Sequence, residues 1–310
     1  MKLSFVIPVY RNEGSLIPTF TKIKDLVTKN KFEYELIFVN DGSDDNSFEE
    51  LKELFKIDSN VKVLSFSRNF GQVAAVIAGL KEVTGDVVIS MSADLQEPIE
   101  LIEQMVQKWQ EGNEIVICHR TDREDGFIAN NTSKIFYKLM KYVNPKMPNG
   151  GFDFLLLDKK AVNVLNQIDE RNRFFQGDVL WLGFNTAFIP YRRIKRAIGK
   201  SQWTLSKKIK YFIDGLLNTS YVPIRLMSFL GLCFSFVGFL YSLIIIYSRF
   251  VNNTPFNGWA PIMILLLIIG GMIMVMLGII GEYVWRAYDE TRKRPIYIIK
   301  DKFVNEEENN

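Results

Sequence analysis

Residues 86–98 read DVVISMSADLQEP, and the placement of this stretch decides the fold. Asp86 to Met91 is a short apolar run, rich in Val and Ile and without strict alternation. Such a run suits a strand covered on both faces. Pro98 suits the first turn of a following helix. The stretch therefore reads as strand, polar loop, helix. Its loop, Ser92 to Pro98, puts an Asp, a Gln and a Glu at a strand's carboxyl end, as a site for a cation and a phosphate would. Ser92 stands where a second carboxylate would make a stronger metal site. A metal-dependent site, a weakened one and a plain polar loop all remain open on these residues alone.

The same pattern recurs on either side. LSFVIPV (Leu3 to Val9), YELIFVN, VKVLSFS and EIVICH are further apolar runs of strand length. Helical patterns lie between them, over Gly14 to Lys29, Ser47 to Lys56, Gly71 to Val83 and Pro98 to Gln110. Strand–helix alternation predicts an α/β fold with a mostly parallel sheet flanked by helices. In such a sheet, ligands bind beyond the carboxyl ends of the strands. The first strand ends in Pro8-Val9-Tyr10, with Glu13 soon after. The second ends in Asn40-Asp41-Gly42-Ser43, the third in Ser67-Arg68-Asn69-Phe70-Gly71, the fourth in Ser92-Ala93-Asp94-Leu95-Gln96. Each alone is weak, and NDGS is simply a good turn. Together they describe one crevice.

The 310 residues carry a net charge of +3, which does not indicate a nucleic-acid partner. The two cysteines, Cys118 and Cys233, lie far apart in apolar runs, so a reducing compartment fits better than a disulfide framework. One histidine, His119, and two cysteines exclude a His-rich zinc site and a zinc finger.

Near residue 223 the composition changes. Leu226 to Tyr247 and Ala260 to Gly281 contain no charge. Each is long enough to cross a hydrocarbon core of roughly 30 Å. Lys207, Lys208, Lys210 and Arg225 precede the first stretch, and Arg286, Arg292, Lys293 and Arg294 follow the second. The loop between carries only Arg249. The positive-inside rule then puts both ends in the cytoplasm. Gly231, Ser235, Gly270, Gly271, Gly278 and Gly281 would let the two helices approach closely. Between the halves, Thr204 to Ser220 places Leu205, Ile209, Phe212, Ile213, Leu216 and Leu217 on one helical face. That is the pattern of a helix lying in the membrane interface. The tail after Ile299, ending NEEENN, is expected to be disordered.

In order and spacing, FVIPVYRNEGSL, IFVNDGSDDNS, SFSRNFGQVAAVIAGL and SADLQEP resemble the inverting nucleotide-diphosphosugar glycosyltransferases of family 2. GGFDFLLLDKKAV, ERNRFFQGDVLWLGF, RIKRAIGKSQWTLSKKIKYFIDGL and GIIGEYVWRAYDETRKRPIYII are similar to the polyprenyl-phosphate glycosyltransferases. That group includes the bactoprenol glucosyltransferases and is similar to dolichol-phosphate mannose synthase. The resemblance implies a GT-A type domain over 1–200, an amphipathic interface helix over 201–223, two transmembrane helices within 224–286 and a cytoplasmic tail over 287–310.

Carried over residue by residue, the resemblance implies that Pro8, Tyr10 and Glu13 line the base and ribose, although the acidic position in YRNE is shifted by one against some members. It puts Asp41 at the base, Arg68 at the nucleotide and Ala93 beside the nucleotide sugar. Asp94 and Gln96 match a D-x-D-x-Q metal site in which Ser92 replaces the first Asp. The implied cofactor is a divalent cation, Mg²⁺ or Mn²⁺, with diphosphate oxygens completing its shell. Asp153 matches an acceptor-side aspartate, often proposed as the base. A phosphate monoester has a second pKa of about 6 and is already a nucleophile at neutral pH, so Asp153 need only orient. A helix cap is the plainer alternative for Asp153, a turn or cap for Asp41, a carboxylate partner for Arg68. Arg192, Arg193, Arg196, Lys200 and Ser201 match a basic loop holding diphosphate or lipid phosphate, with membrane attraction as the alternative.

The expected protein is a glycosyltransferase of the bacterial plasma membrane, catalytic on the cytoplasmic face. It would move a sugar, from UDP-glucose or a related UDP-sugar, to undecaprenyl phosphate with inversion, for cell-envelope glycan modification. The glycine-bearing spans leave self-association open. A processive polysaccharide synthase is a rival, but a Q-x-x-R-W motif is missing. A non-catalytic membrane scaffold is the other, with Ser92 as its support.

Overall fold

The computed structural model describes residues 1–121, 141, 145–148, 151–192, 222–252 and 258–305. The first half alternates as the apolar runs predict: β1 (Lys2–Val9), α1 (Leu16–Lys29), β2 (Glu33–Asn40), α2 (Ser47–Ile57), β3 (Val61–Phe66), α3 (Gln72–Lys81), β4 (Val87–Ser90), α4 (Leu101–Gln110) and β5 (Ile115–Arg120). There follow β6 (Phe154–Asp158), α5 (Lys159–Leu165), α6 (Phe175–Trp181) and β7 (Thr186–Tyr191). Two long helices, α7 (Val222–Asn252) and α8 (Trp259–Thr291), and β8 (Ile299–Phe303) end the described chain.

The sheet runs β7-β5-β6-β4-β1-β2-β3-β8. β1 pairs in parallel with β2 and β4, β2 with β3, and β5 with β7. β6 runs antiparallel between β4 and β5, and β8 antiparallel on β3. The sheet is thus mixed although mostly parallel. β4 and β5, consecutive in sequence, are separated by a strand that arrives later.

Alternate residues of β1 feed two cores. Leu3, Phe5 and Ile7 pack with Leu16, Phe20 and Ile23 of α1, Leu51 of α2 and Met105 of α4. Val6 packs on the opposite face with Ala75 and Leu80 of α3, Leu165 of α5 and Val179 of α6. Burial of both faces explains why these strands are near-continuous apolar runs. Gly79 lets α3 lie directly on β1, since a Cβ there would come within 2.4 Å of Val6.

The chain forms two compact units, Met1–Gly215 with Arg294–Asn310, and Leu216–Lys293. The C-terminal return to the first unit corrects the expectation of a disordered tail after Ile299, since Ile299–Phe303 is a strand. β3 would otherwise be an open edge, and open edges attract a further strand. Tyr297 stacks on Phe66 with centroids 5.1 Å apart. Phe303 packs on Phe48 and Phe55, and Lys302 pairs with Glu82 at 2.7 Å. Residues 306–310, the acidic end, lie outside the described residues.

In the second unit, Ile268–Thr291 is long and apolar enough to cross a membrane, the one such helix among the described residues. The apolar part of α7, Met227–Tyr241, is shorter. Leu232 and Met274 are each 69 % exposed, as side chains meant for an apolar medium would be. Among the described residues, a Cβ at Gly231, Gly270, Gly271, Gly278 or Gly281 would meet nothing within 4 Å, so these glycines are not where the described parts of α7 and α8 touch. The expected interface helix, over Thr204 to Ser220, lies outside the described residues.

Candidate active site

The carboxyl ends of β1 to β5 and β7 and the amino end of the antiparallel β6 share one edge of the sheet. Along that edge the topology sets, in order, Tyr191 and Arg192, Arg120, Asp153, the Ser92–Glu97 loop, Tyr10, Asp41 and Arg68. The residues read from separate strand ends are therefore brought to one rim.

On the β1–β2–β3 side, Asp41 is buried, and its carboxylate accepts the amides of Phe70 at 2.6 Å and Gly71 at 2.9 Å. These charge-assisted bonds fix the loop between β3 and α3. Gly42 makes the close approach possible: its φ is +64°, and a Cβ would lie 2.4 Å from the Arg68 carbonyl carbon. Arg68 is exposed and lies over the Phe70 ring at 4.0 Å, rather than on a carboxylate. Tyr10 is partly buried, with Arg11 over its ring and Arg11 paired with Asp44 at 2.6 Å. Glu13 is exposed beside Asn46, whose amide it accepts at 3.4 Å. Pro8 lies within β1 at intermediate exposure.

In the β4 loop, Leu95 takes a φ of +56°. A left-handed non-glycine residue is a strained position, typical of functional loops. It separates Asp94, 7 % exposed, from Gln96, 8 % exposed. Asp94 Oδ1 accepts Ser92 Oγ at 2.8 Å and the Gln96 amide at 3.3 Å. Ser92 Oγ also meets Glu97 Oε2. Burial, with Asp94 adding to it, pushes the Glu97 carboxyl above the usual carboxylate range. Ala93 is in the core, and its carbonyl accepts Thr19 Oγ1 at 3.1 Å.

Beyond β5, Arg120 donates to Asp153 at 3.1 Å and lies 3.4 Å from the Tyr191 hydroxyl. Burial opposes the guanidinium charge, but Asp153, Tyr191 and Glu97 outweigh it and raise the Arg120 pKa. Asp153 therefore meets a cation, while the cap of α5 is Asp158, which accepts the Lys160 amide. Gln176, buried, donates to the Phe152 carbonyl at 2.6 Å and steadies the backbone next to Asp153. Cys118 offers no nucleophile: burial and Glu97 push its thiol up to about 12.

The glycosyl transferase family 2 model matches residues 4–165, more than half of the chain. The chain belongs to glycosyl transferase family 2. As a family 2 member it is a glycosyltransferase. It is 37 % identical over 305 residues to the uncharacterized glycosyltransferase YkcC of Bacillus subtilis, covering 98 % of this chain and 94 % of that one. It is 37 % identical over 303 residues to a prophage bactoprenol glucosyl transferase homolog of Escherichia coli, covering 97 % and 99 %. The fold is similar to that of mannosyl-3-phosphoglycerate synthase from Rubrobacter xylanophilus, with TM-score 0.50, 16 % identity and 74 % of each chain covered.

Among the described residues of this glycosyltransferase, no three His, Cys, Asp or Glu side chains gather as metal ligands. Asp94 and the Gln96 oxygen form a donor set suited to a hard cation but too small to enclose one. It fits a cation whose remaining ligands come from a substrate's phosphates. Of the basic loop, Arg192 follows β7, and Arg193, Arg196, Lys200 and Ser201 lie outside the described residues. Sequence reading missed Arg120 and Tyr191 as rim residues. Arg120 stands at the carboxyl end of β5 as Asp41 does beyond β2, and strand-end position was the available signal.

Proposed function

We propose that this glycosyltransferase moves a sugar from a nucleotide-diphosphosugar, UDP-glucose or a related UDP-sugar, to undecaprenyl phosphate with inversion. The lipid phosphate oxygen attacks the anomeric carbon, and the nucleoside diphosphate leaves from the opposite side. The catalytic domain is cytoplasmic, over 1–200. The segment 201–223 lies in the interface, and two spans within 224–286 anchor the enzyme to the bilayer that holds its acceptor. One observation carries this reading. A rim of carboxylates and cations shares a chain with long helices whose apolar side chains are exposed, and relatives named bactoprenol glucosyl transferase match across both.

Asp94 and Gln96 would hold Mg²⁺ or Mn²⁺, which when bound offsets charge gathering on the leaving diphosphate. Tyr10, Pro8, Glu13 and Asp41 serve the base and ribose, Asp41 also by fixing the loop that carries Arg68. Arg120 keeps Asp153 oriented at the acceptor side. An acceptor phosphate that is already anionic needs no strong base there, so orientation and charge stabilisation carry the rate. Purified full-length protein, offered labelled UDP- and GDP-sugars with undecaprenyl phosphate, should label the lipid from a UDP-sugar. No labelled lipid from any donor would point first to a donor outside the panel and second to the scaffold reading.

A further inference from the structure

The β4 loop holds a carboxyl group for which the scheme above has no use. Glu97 is 1 % exposed, deeper than either Asp94 or Gln96. Its Oε2 meets the Ser92 hydroxyl, and the Ser92 amide lies 3.3 Å away. Its Oε1 is sealed from solvent and makes no hydrogen bond. A buried carboxyl with an empty oxygen is a costly thing to keep. Burying an apolar side chain ahead of Pro98 would serve the core as well. The link that Glu97 makes is specific: Ser92 Oγ bridges it to Asp94 Oδ1, at 2.8 Å on the Asp94 side. A serine hydroxyl rotates freely unless a second partner fixes it. Glu97 is that partner, and it sets the hydroxyl that sets Asp94. Carboxylates that ligate a cation depend on such outer hydrogen bonds for their orientation.

We propose that Glu97 is a positioning residue: through Ser92 it holds Asp94 in the orientation that takes the divalent cation of the donor diphosphate. The inference rests on the reading of Asp94 and Gln96 as the protein's cation ligands. It makes positions 92 and 97 a pair. A carboxylate introduced at 92 would face Glu97, and would be accommodated only when 97 loses its own.

The test uses full-length protein in detergent and reads Mn²⁺ binding in the presence of UDP by electron paramagnetic resonance, beside KM values for donor and acceptor. Glu97→Leu and Ser92→Ala should each weaken Mn²⁺ binding about 10- to 100-fold, the usual cost of losing an outer-shell partner, whereas Glu97→Gln, which can still hydrogen-bond Ser92 Oγ, should stay close to wild type. The acceptor KM should stay at its wild-type value. The Ser92→Ala, Glu97→Leu double variant should be no weaker than either single one, since the two act as a unit. Ser92→Asp should bind Mn²⁺ poorly, and Ser92→Asp with Glu97→Gln should recover. Ser92→Ala, the milder change, keeps the test decisive if Glu97→Leu folds poorly. Binding within about twofold of wild type in both Glu97→Leu and Ser92→Ala, or losses that multiply in the double variant, would overturn the proposal. Wild-type protein that binds no Mn²⁺ with UDP would instead overturn the reading of Asp94 and Gln96, and this inference with it.

Discussion

Glu35 and Glu97 are buried to the same depth, each 1 % exposed, at opposite ends of one sheet. Glu35 sits near the amino ends of the strands. Its Oε1 accepts Ser4 Oγ and the amides of Thr84 and Gly85, and its Oε2 accepts Lys62 at 2.8 Å and Thr84 Oγ1 at 2.9 Å. Burial alone would raise its pKa, yet Lys62, Ser4 and the Thr84 amide outweigh burial and bring it down to about 2. Glu97, beyond the carboxyl end of β4, has Ser92 for a partner and one oxygen with none. Burial and Asp94 push it up. A satisfied buried carboxylate ties strands together. An unsatisfied one is kept in place by the rest of the fold, next to the groups that meet substrate.

If that division is correct, changes at the two ends should separate activity from stability. The largest effect belongs to Asp94→Ala, which should lower transfer at least about a thousandfold while the melting temperature stays near wild type. Lys62→Met should cost about 1.5–3 kcal/mol of stability, because Glu35 loses a charged partner while Lys2, 3.6 Å away, and the Ser4, Thr84 and Gly85 bonds remain. Its transfer rate, measured well below the melting temperature, should be unchanged. Acid melts sharpen the contrast. The folded pKa of Glu35 lies below its ordinary value of 4.5, so its stabilisation is complete above that pH. It is lost as pH falls from 4.5 through about 2, ~3 kcal/mol in all, and Glu35→Gln should flatten that part of the profile. Arg120→Gln should slow transfer about a hundredfold and raise the acceptor KM rather than the donor KM. The smallest effect is at Tyr297, where loss of the stack on Phe66 in Tyr297→Ala should cost about 1 kcal/mol by thermal melt and Tyr297→Phe nearly nothing.

Much of the fold was legible because β1 to β5 are covered on both faces, and such strands write themselves as apolar runs. β8 was not. IKDKF sets three consecutive charges between two apolar residues, and only the open edge of β3 gives it a partner. The position of β6 between β4 and β5 was hidden for a related reason: pairing order is a long-range choice that no local pattern records. At the site, Asp41, Arg68, Asp94 and Gln96 could be read because each lies in the loop that leaves the carboxyl end of its strand. Asp41 proved to be engaged with a neighbouring loop, which requires the third strand to be in place. Arg120 meets Asp153 across 33 residues of sequence, a contact that exists only once β5 and β6 pair. The bridge from Glu97 through Ser92 to Asp94 depends on the left-handed turn at Leu95, and nothing in the letters SADLQEP announces that turn.

The most direct test of the carboxyl end of the sheet as a cation-assisted transfer site is made on wild-type protein. Labelled lipid is measured from UDP-glucose and undecaprenyl phosphate, first in EDTA and then as Mn²⁺ is titrated back. The account predicts no labelled lipid in EDTA and recovery that follows Mn²⁺ to saturation. Transfer at full rate in EDTA would contradict it.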